Sequence, residues 1–332
     1  MTMSPSRPTM HDVARVAGVS IKTVSRVVNG EPGVRASTRE RVDAAIGQLR
    51  FLRNDGASQL RSGRADTIGL IVEDLANPFY SVLAAAVERV TRRHGHLLMT
   101  GSGEGLSEQE QSLAAAFLSR RAAGLLVVPT ESDHAWLTQE ATAGTPLVFL
   151  DRPAAGIVAD TFLTDNEGGV RSGVEHLAAH GHRHIAFLGD DPAFWTAARR
   201  LDGFHTATTA LGLRCDRVAM GPHDPAGLVS VLRAWTQGDD PITAILTGNN
   251  IVTVAALHAM RAADVRLGLV GFDDFELADL LEPSVTVIAQ DPASMGEQAA
   301  HMLFQRLAGD TTPPRTVIQA TRLVVRESGR LR

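Results

Sequence analysis

The sequence has few of the features that mark secreted, membrane-spanning or disulfide-stabilised proteins. It contains one cysteine, Cys215, which excludes an internal disulfide and fits a reducing compartment. No apolar run approaches the roughly 18 residues that a membrane span needs, and the start MTMSPSRPT lacks the apolar region of a signal peptide. We therefore expect a cytoplasmic protein with a disordered tail over residues 1–8.

Basic side chains are distributed unevenly along the chain, and only one of the 32, Lys22, is a lysine. Residues 1–65 carry a net charge of +6, whereas the rest carries −11, within an overall charge of −5. A basic head on an acidic body is typical of a polyanion-binding module attached to a second domain.

The basic head contains a pattern of two short helices in the segment TMHDVARVAGVSIKTVSRVVN, residues 9–29. Thr9 and Asp12 have the spacing of a capping box, Gly18 can end the first helix in the left-handed conformation, and Ser20 can cap the second. This pattern fits the core of any helical protein or a helix-turn-helix, whose second helix enters the DNA major groove. The charge distribution favours DNA binding.

A third helix is predicted from about Ser37 to Leu49, with Ser37 and Glu40 as a second capping box. Residues 50–65 then become polar and basic. Residues 54–61 suffice for about two helical turns, which are marginal alone and are weakened by Gly56. We expect this segment to order only on a partner.

From Thr67 onward, short apolar strands alternate with helices, which predicts parallel sheets covered on both faces. The predicted helices run from the turn at 77–78 to 93 and over 107–121, 167–180, 196–211 and 250–262. The predicted strands are TIGLIVED, HLLMTGSG, GLLVVPT, PLVFLDRP, IVADTFL, HIAFLGD, AILTG and LGLVGFDD. The number of strands indicates two lobes, and the loops at the strand ends are the expected ligand site.

An enzyme is the competing class, but the sequence shows no nucleophile–base–acid set, metal-ligand spacing or phosphate loop. The histidines at 176, 180, 182 and 184 are close together and could hold a metal ion. They could also form a basic junction between a helix and a strand, which we favour. No cofactor and no metal is expected.

The chain resembles the LacI/GalR family of bacterial transcription regulators along nearly its whole length. The matching motifs are DVARVAGVSIKTVSRVVNG, VRASTRERVDAAIGQLRF, TIGLIVEDLANPFY, GLLVVPT, VFLDRP, DNEGG, HLAAHGHRHIAFLGD, RRLDGF and GLVGFDD. The resemblance implies a small all-α helix-turn-helix domain followed by a two-lobed α/β domain similar to periplasmic sugar-binding proteins, with three crossovers between the lobes.

The resemblance also implies domain boundaries. The helix-turn-helix domain would cover residues 9–53, and a hinge helix with its linker would cover 54–65. The effector-binding and dimerisation domain would cover 66–332. Its N-lobe would hold about 66–163 and 291–317, and its C-lobe about 164–290 and 318–330.

The DNA-contacting residues are implied by the same resemblance. Ile21, Lys22 and Arg26 occupy the positions that face base edges, where Arg and Lys bond guanine and Ile makes apolar contact. In the hinge, Ala57 and Leu60 are expected at the DNA, with Leu60 either a minor-groove wedge or an interdomain packing residue. Thr23 and Ser25 either bind phosphate or serve local capping. The full set of expected phosphate-binding residues is His11, Ser20, Thr23, Ser25, Asn29, Arg35 and Thr38.

The effector pocket is implied in the same way. Asp273, Asn249 and Arg200 match sugar-contacting positions, since carboxylate, amide and guanidinium groups together hold vicinal hydroxyls. Arg200 could equally favour an anionic effector. Phe79, Phe194 and Trp195 are candidates for an aromatic stacking face. Asp151 and Asp165 either reach the cleft or hold a strand end or an inter-lobe ion pair. His223 lies either in the pocket or on the surface.

Two departures from the family pattern stand out in the sequence. The segment Phe51–Asn54 lacks the usual proline before the hinge, and Gly56 replaces a larger helix former, so we expect a looser hinge. Asn249 is followed by Asn250 where the family usually has aspartate, which removes a carboxylate near the pocket.

These features predict a sequence-specific DNA-binding repressor of a carbohydrate-utilisation operon, acting at the nucleoid. A small sugar-like effector would release it from a palindromic operator. The alternatives are a non-sugar or anionic effector acting as corepressor, and a solute-binding protein without a DNA role. We expect a homodimer rather than a tetramer, because no leucine heptads follow LVVRESG.

Overall fold

The computed structural model describes residues 8–51, 66–130 and 133–330, in two compact units that divide at residue 65. The predicted hinge segment 54–65, with Ala57 and Leu60, lies outside the described residues, as do residues 1–7 of the predicted tail. Among the described residues, no helix is long and apolar enough to cross a membrane.

Residues 8–51, the part of the small unit that the structure describes, form three helices, α1 (Met10–Ala17), α2 (Ile21–Val28) and α3 (Ala36–Leu49). The predicted capping box is present at α1: the backbone N–H of Asp12 donates to the Thr9 hydroxyl, and that of Thr9 donates to the Asp12 carboxylate. Gly18 takes the left-handed conformation (φ 63°) that ends α1, and Ser20 caps α2. The helix-turn-helix prediction is therefore confirmed.

The start of α3 differs from the prediction, and the capping box between Ser37 and Glu40 is wrong. The helix begins at Ala36 after an extended Arg35, and no side chain caps it. Ser37 consequently lies inside the first turn rather than before it. The loop from α2 sets the entry point of the chain, which the local sequence pattern did not reveal.

The large unit contains two six-stranded sheets, each covered by helices on both faces. All pairings are parallel, as predicted, except that the edge strand β12 runs antiparallel to β10. The strands are β1 (Thr67–Val72), β2 (Leu97–Ser102), β3 (Gly124–Val127), β4 (Leu147–Leu150), β5 (Asp160–Thr164), β6 (Ile185–Leu188), β7 (Val218–Ala219), β8 (Ala244–Thr247), β9 (Gly268–Phe272), β10 (Thr286–Ala289), β11 (Thr316–Gln319) and β12 (Arg322–Val324).

Eight α-helices of the large unit connect these strands, and a 3₁₀ turn at Ala135–Leu137 precedes the third of them. Most begin at a capping side chain or a proline, such as Asn77 followed by Pro78 and Asp291 followed by Pro292. The helices are α4 (Pro78–Arg93), α5 (Ser107–Ser119), α6 (Thr138–Thr142), α7 (Asn166–Ala179), α8 (Trp195–Ala210), α9 (Pro225–Thr236), α10 (Asn250–Ala263) and α11 (Pro292–Leu307).

The two sheets define two lobes, and the chain passes between them three times. The first lobe has the strand order β11-β5-β4-β3-β1-β2, and the second has β12-β10-β9-β8-β6-β7. The crossovers lie between β5 and α7, between β10 and α11, and between β11 and β12. The carboxyl ends of the parallel strands in both lobes are the places where such folds bind ligands.

One predicted strand is displaced, and several elements were not identified from the sequence pattern. The strand expected over 157–163 is β5, Asp160–Thr164, because Val158 is 84% exposed and only the following residues are buried in the sheet. Helices α9 and α11 and the short strands β7, β10, β11 and β12 were not predicted individually.

Candidate functional site

The outer face of α2 carries the residues predicted to read DNA bases. Ile21 and Lys22 at its amino-terminal end are exposed, and Arg26 lies one turn further along the same face. Val24 and Val27 point the other way, into the core of the small unit. The helix therefore has an outer surface that is polar and basic, as recognition helices have.

Arg26 folds back on the loop that follows α2. Its Nη2 donates to the Pro32 carbonyl (2.6 Å), and its Nε lies 3.5 Å from a carboxylate oxygen of Glu31. Gly33 permits this approach, because a Cβ there would lie 3.0 Å from the same Nη2. Arg26 thus fixes the connection between α2 and α3, and it must exchange these bonds to reach a base edge.

The residues predicted to bind phosphate lie on or beside the same helices. His11, Ser20, Asn29 and Arg35 are exposed, whereas Thr38, Thr23 and Ser25 are half-buried. The hydroxyls of Ser20 and Thr23 lie 2.9 Å apart, and Asn29 donates to the Ser25 hydroxyl (3.4 Å). Thr23 and Ser25 therefore take part in local hydrogen bonds, which was the alternative to a phosphate contact.

A cavity of about 390 Å³ lies between the two lobes, at the carboxyl ends of their strands. It is lined from the first lobe by the ends of β1 and β4 and the start of α4. From the second lobe it is lined by the loops after β6, β8 and β9. We call it the cleft. Its predicted residues are Phe79, Asp151, Arg200, Asn249, Asp273 and His223.

Three predicted effector residues do not line the cleft. Asp165 caps α7, accepting from the Gly168 N–H (2.9 Å), a role that was not predicted from the sequence. Trp195 is the first residue of α8 and is half-buried. Phe194 instead contacts the other lobe, with the Arg152 guanidinium 4.5 Å from its ring centroid.

Arg200 is held from several sides by the second lobe. Its Nε donates to Asn166 Oδ1 and its Nη1 to the Gly248 carbonyl, both at 2.7 Å. The guanidinium carbon lies 3.8 Å from the centroid of the Phe272 ring, and Nη1 lies 4.0 Å from Asp273 Oδ2. Arg200 is therefore a buried cation that the second lobe holds in place, with two of its five N–H donors bonded within the protein.

Asp273 is a buried carboxylate at the end of β9, in the left-handed conformation (φ 67°). Gln290, in the second crossover, donates to its Oδ1 (2.6 Å). Burial raises the pKa of Asp273, and the charge of Asp151 adds to this, while Arg200 and Gln290 oppose it. The negative charge of Asp273 is therefore only partly compensated in the folded protein.

Asp151 occupies the equivalent position in the first lobe, at the end of β4, also with a positive φ (65°). Its Oδ2 accepts from the Tyr80 hydroxyl (3.3 Å) and lies 3.7 Å from Arg152 Nε. Arg152 forms an ion pair with Glu73. Burial acts to lower the pKa of Arg152, but the neighbouring Tyr80, Glu73 and Asp151 raise it overall.

Asn249 and Asn250 begin α10 and are both engaged in internal hydrogen bonds. Asn249 caps the helix through Val252 N–H (2.8 Å) and donates to Asp190 Oδ2 (2.6 Å). Asn250, where the family usually has aspartate, donates across the cleft to Asn77 Oδ1 (3.0 Å). This hydrogen bond joins the two lobes.

Several residues of the cleft were missed at the level of sequence. Tyr80 directly follows the predicted Phe79, and Arg152 directly follows the predicted Asp151. This position beside a predicted residue was the signal in the sequence that could have identified them. Gln290 and Glu73 had no local signal, because the partners that define them, Asp273 and Arg152, are 17 and 79 residues away.

Three of the four clustered histidines remain neighbours in the fold, since, besides burial, His180 and His176 both act to lower the pKa of His182, whereas His184 lies beside Asp216. His176 and His180 lie with ring centroids 4.3 Å apart, His182 bonds to Thr243 (2.9 Å), and His184 lies 3.0 Å from Asp216. Burial lowers the pKa of His176, His182 and His184. Within the described ranges, no group of three or more His, Cys, Asp or Glu residues could hold a metal ion.

Two family profiles match the chain. The profile described as bacterial regulatory proteins, lacI family, matches residues 9–54, and that of a periplasmic binding protein-like domain matches residues 174–329. The HTH-type transcriptional regulator CelR of Thermobifida fusca is 31% identical, over 97% of this chain and 98% of the relative.

Solved structures agree in fold over nearly the whole chain. The lac repressor dimer bound to operator and the anti-inducer ONPF matches with a TM-score of 0.85 at 28% identity, covering 98% of this chain and all of that one. The complex of the transcriptional regulator CelR with cellobiose matches with a TM-score of 0.70 at 29% identity, covering 97% and 100%.

The raised pKa of Asp273 predicts that this carboxylate destabilises the unliganded protein at neutral pH. Because the folded state holds the proton more tightly than the unfolded state, the free energy of unfolding falls as pH rises from 3.8 through the raised pKa. Asp273→Asn keeps an oxygen that can accept the hydrogen bond from Gln290. Because asparagine does not ionise, the variant lacks this decrease in the free energy of unfolding. We expect its melting temperature to exceed that of the wild type near neutral pH, with the difference vanishing below pH 3.8.

Thermal unfolding measured across pH checks this, with Asp202→Asn on the exposed part of α8 as the matched surface control. A melting temperature of Asp273→Asn at or below that of the wild type near neutral pH would contradict the prediction.

Proposed function

The chain belongs to the LacI family of bacterial transcription regulators, and we propose that it represses a carbohydrate-utilisation operon. It is a DNA-binding regulator and not an enzyme. In the proposed cycle the protein binds a palindromic operator and is released when a small sugar-like effector binds. The observation that carries the proposal is the presence in one chain of a capped helix-turn-helix and a polar cleft between two lobes.

The composition of the cleft supports a hydroxyl-rich effector. Carboxylate, amide and guanidinium groups line the cavity, and groups of these kinds bond vicinal hydroxyls. Phe79 and Tyr80, with ring centroids 5.0 Å apart, supply an apolar face on the side of the first lobe. The relative CelR, which is solved with cellobiose, adds support for a saccharide.

On the operator, some residues of the small unit read the base edges, and others bind phosphate and position the protein on the DNA. Ile21, Lys22 and Arg26 read base edges, and Arg26 leaves the Pro32 carbonyl to do so. Exposed residues at the helix ends, such as Arg35, bind phosphate and set the register without reading sequence.

Substituting one residue of each kind distinguishes the two roles. Lys22→Ala and Arg26→Ala should each cost about 1–3 kcal/mol on the operator and relax the preference at one base pair. Arg35→Ala should weaken binding to all sequences alike and reduce the salt dependence. Binding by fluorescence anisotropy, on an operator selected from random DNA and on unrelated DNA, provides the measurement.

The assignment fails if all three variants lose affinity equally on both DNAs. Melting temperatures are measured in parallel, because Arg26→Ala also removes the bond to Pro32.

A palindromic operator requires two helix-turn-helix units, so the protein acts as a dimer. The second lobe carries an apolar groove between α10 and the loop after β9, bordered by Val254, Leu257, Phe275, Leu277 and Leu281. Leu277 is 57% exposed and Leu280, beside it, is 72% exposed. A second copy of the chain would cover this apolar surface, and the lac repressor relative is solved as a dimer.

Disrupting the groove should separate the subunits. Leu277→Arg should weaken dimerisation at least tenfold (about 1.4 kcal/mol), whereas Leu211→Arg, an exposed leucine at the end of α8, should leave the dimer intact. Light scattering at micromolar concentrations checks both. A wild-type monomer or tetramer, or a fully dimeric Leu277→Arg protein, would contradict this arrangement.

Effector and operator binding are coupled through the hinge in this proposal. Leu60, which like Ala57 lies outside the described residues, enters the minor groove at the operator centre. Effector binding changes the angle or spacing between the first lobe of one subunit and the first lobe of the other. This movement removes the two Leu60 side chains from the minor groove. Such coupling is typically about 1–3 kcal/mol and reciprocal, so the operator changes effector affinity by the same factor.

Two substitutions should separate the linked functions. Leu60→Ala should weaken operator binding and leave effector binding to the free protein intact. Asp273→Ala should leave operator binding intact and abolish release by effector. Calorimetry and anisotropy with a panel of saccharides that includes cellobiose test both, and an unchanged operator affinity of Leu60→Ala would exclude the mechanism.

A further inference from the structure

The cleft contains more carboxylates than cations. Five acidic side chains line it, against two guanidinium groups, and the only lysine of the chain lies in the small unit. The acidic residues are Glu73, Asp74, Asp151, Asp190 and Asp273.

Both guanidinium groups already have partners within the protein. Arg152 is paired with Glu73, lies beside Asp151 and packs on the Phe194 ring. Arg200 donates to Asn166 and to a backbone carbonyl, and it stacks on a phenylalanine of the second lobe. An anionic effector would therefore meet five carboxylates and two guanidinium groups that already have partners, which disfavours sugar phosphates and sugar acids.

Asp151 and Asp273 approach the cleft from opposite lobes. They follow the equivalent strands β4 and β9, both in the left-handed conformation, and both are more than nine-tenths buried. The charge of Asp151 contributes to the raised pKa of Asp273, so the two carboxylates interact across the cavity. Two like charges in a dry site favour a positive charge between them.

Two buried acceptor atoms of the cleft region have no hydrogen-bond partner among the described residues. They are Oδ1 of Asp151, a residue that is 4% exposed, and Oδ1 of Asn250, a residue that is 3% exposed. One buried donor of the cleft, Nε of Arg152, also has no hydrogen-bond partner there and lies 3.7 Å from Asp151 Oδ2. An acceptor buried without a donor is costly, so a ligand that supplies N–H or O–H groups stabilises the site.

We propose that the effector is an ammonium-bearing polyhydroxy compound, such as an amino sugar, whose ammonium group binds Asp151 Oδ1 and faces Asp273. The three donors of an ammonium group satisfy the orphaned oxygen and neutralise the excess charge, whereas a neutral hydroxyl does only the first. A metal ion fits less well, because the described part of the chain has no three-ligand group for one. The inference rests on the proposed role of the cleft as the effector site.

The test compares molecules that differ only in the cation. Tris and tris(hydroxymethyl)ethane share three hydroxymethyl groups, but the first carries an ammonium where the second carries a methyl. D-glucosamine and D-glucose form a second pair, and gluconate is the anionic member. Calorimetry on the full-length protein near neutral pH, in cacodylate buffer at fixed ionic strength, should show about tenfold tighter binding of each amine.

Asp151→Asn keeps the shape of the side chain and removes its charge. We expect this variant to bind the amine and its neutral partner with nearly equal affinity, while Asp202→Asn on the surface of α8 retains the wild-type preference. Asp273→Asn should reduce the preference in the same direction, which provides a second variant if Asp151→Asn does not fold.

Equal binding of the amine and neutral partners by the wild type, or no binding of either amine, overturns the proposal. A preference that survives in both aspartate variants also overturns it. If only neutral saccharides bind the protein and cause it to dissociate from the operator, the proposed regulatory function stands and the proposed ammonium site is rejected. If no saccharide or amine affects operator binding, the regulatory proposal itself fails.

Discussion

The parallel arrangement of both sheets is the constraint on which the cleft depends. Parallel strands end at a common edge, so the polar residues that follow each strand are brought together regardless of their distance in sequence. Three crossovers between the lobes set the two edges against each other. Asp151 and Asp273 are the clearest result, since each follows the corresponding strand of its own lobe and each takes a left-handed conformation.

The charges around the cleft are stabilised by specific partners rather than by solvent. Burying a charge is unfavourable unless opposite charges and hydrogen bonds compensate it. The first lobe achieves this with Arg152 against Glu73 and Asp151, and the second with Arg200 against backbone and amide oxygens. The compensation leaves an excess of negative charge, and a binding site that is slightly destabilising when empty can bind its ligand more tightly.

The described residues include a hydrogen bond and a cation–π contact between the two lobes. Asn250 donates to Asn77 across the cleft, and Phe194 packs on Arg152. Bonds of this kind contribute about 1 kcal/mol each, so a ligand that adds a few more can shift the relation of the lobes. That sensitivity is what an effector-controlled regulator requires.

The sequence alone determined the features that depend on neighbours within about four residues or on regular alternation. The capping box of Thr9 and Asp12, the left-handed Gly18 and the cap at Ser20 are local, and each is present. The buried strands and the parallel sheets also followed from pattern. The polar strand ends placed Asp151 and Asp273 in one cleft, and the family resemblance added Arg200, which lies in α8.

The tertiary structure alone decided which side chains meet across long separations. Asp165 caps a helix rather than lining the cleft, Arg26 binds its own loop, and Gln290 reaches Asp273 from a crossover. The start of α3 at Ala36 likewise depends on the path of the preceding loop. These outcomes depend on packing between elements, which fixes directions that no local spacing encodes.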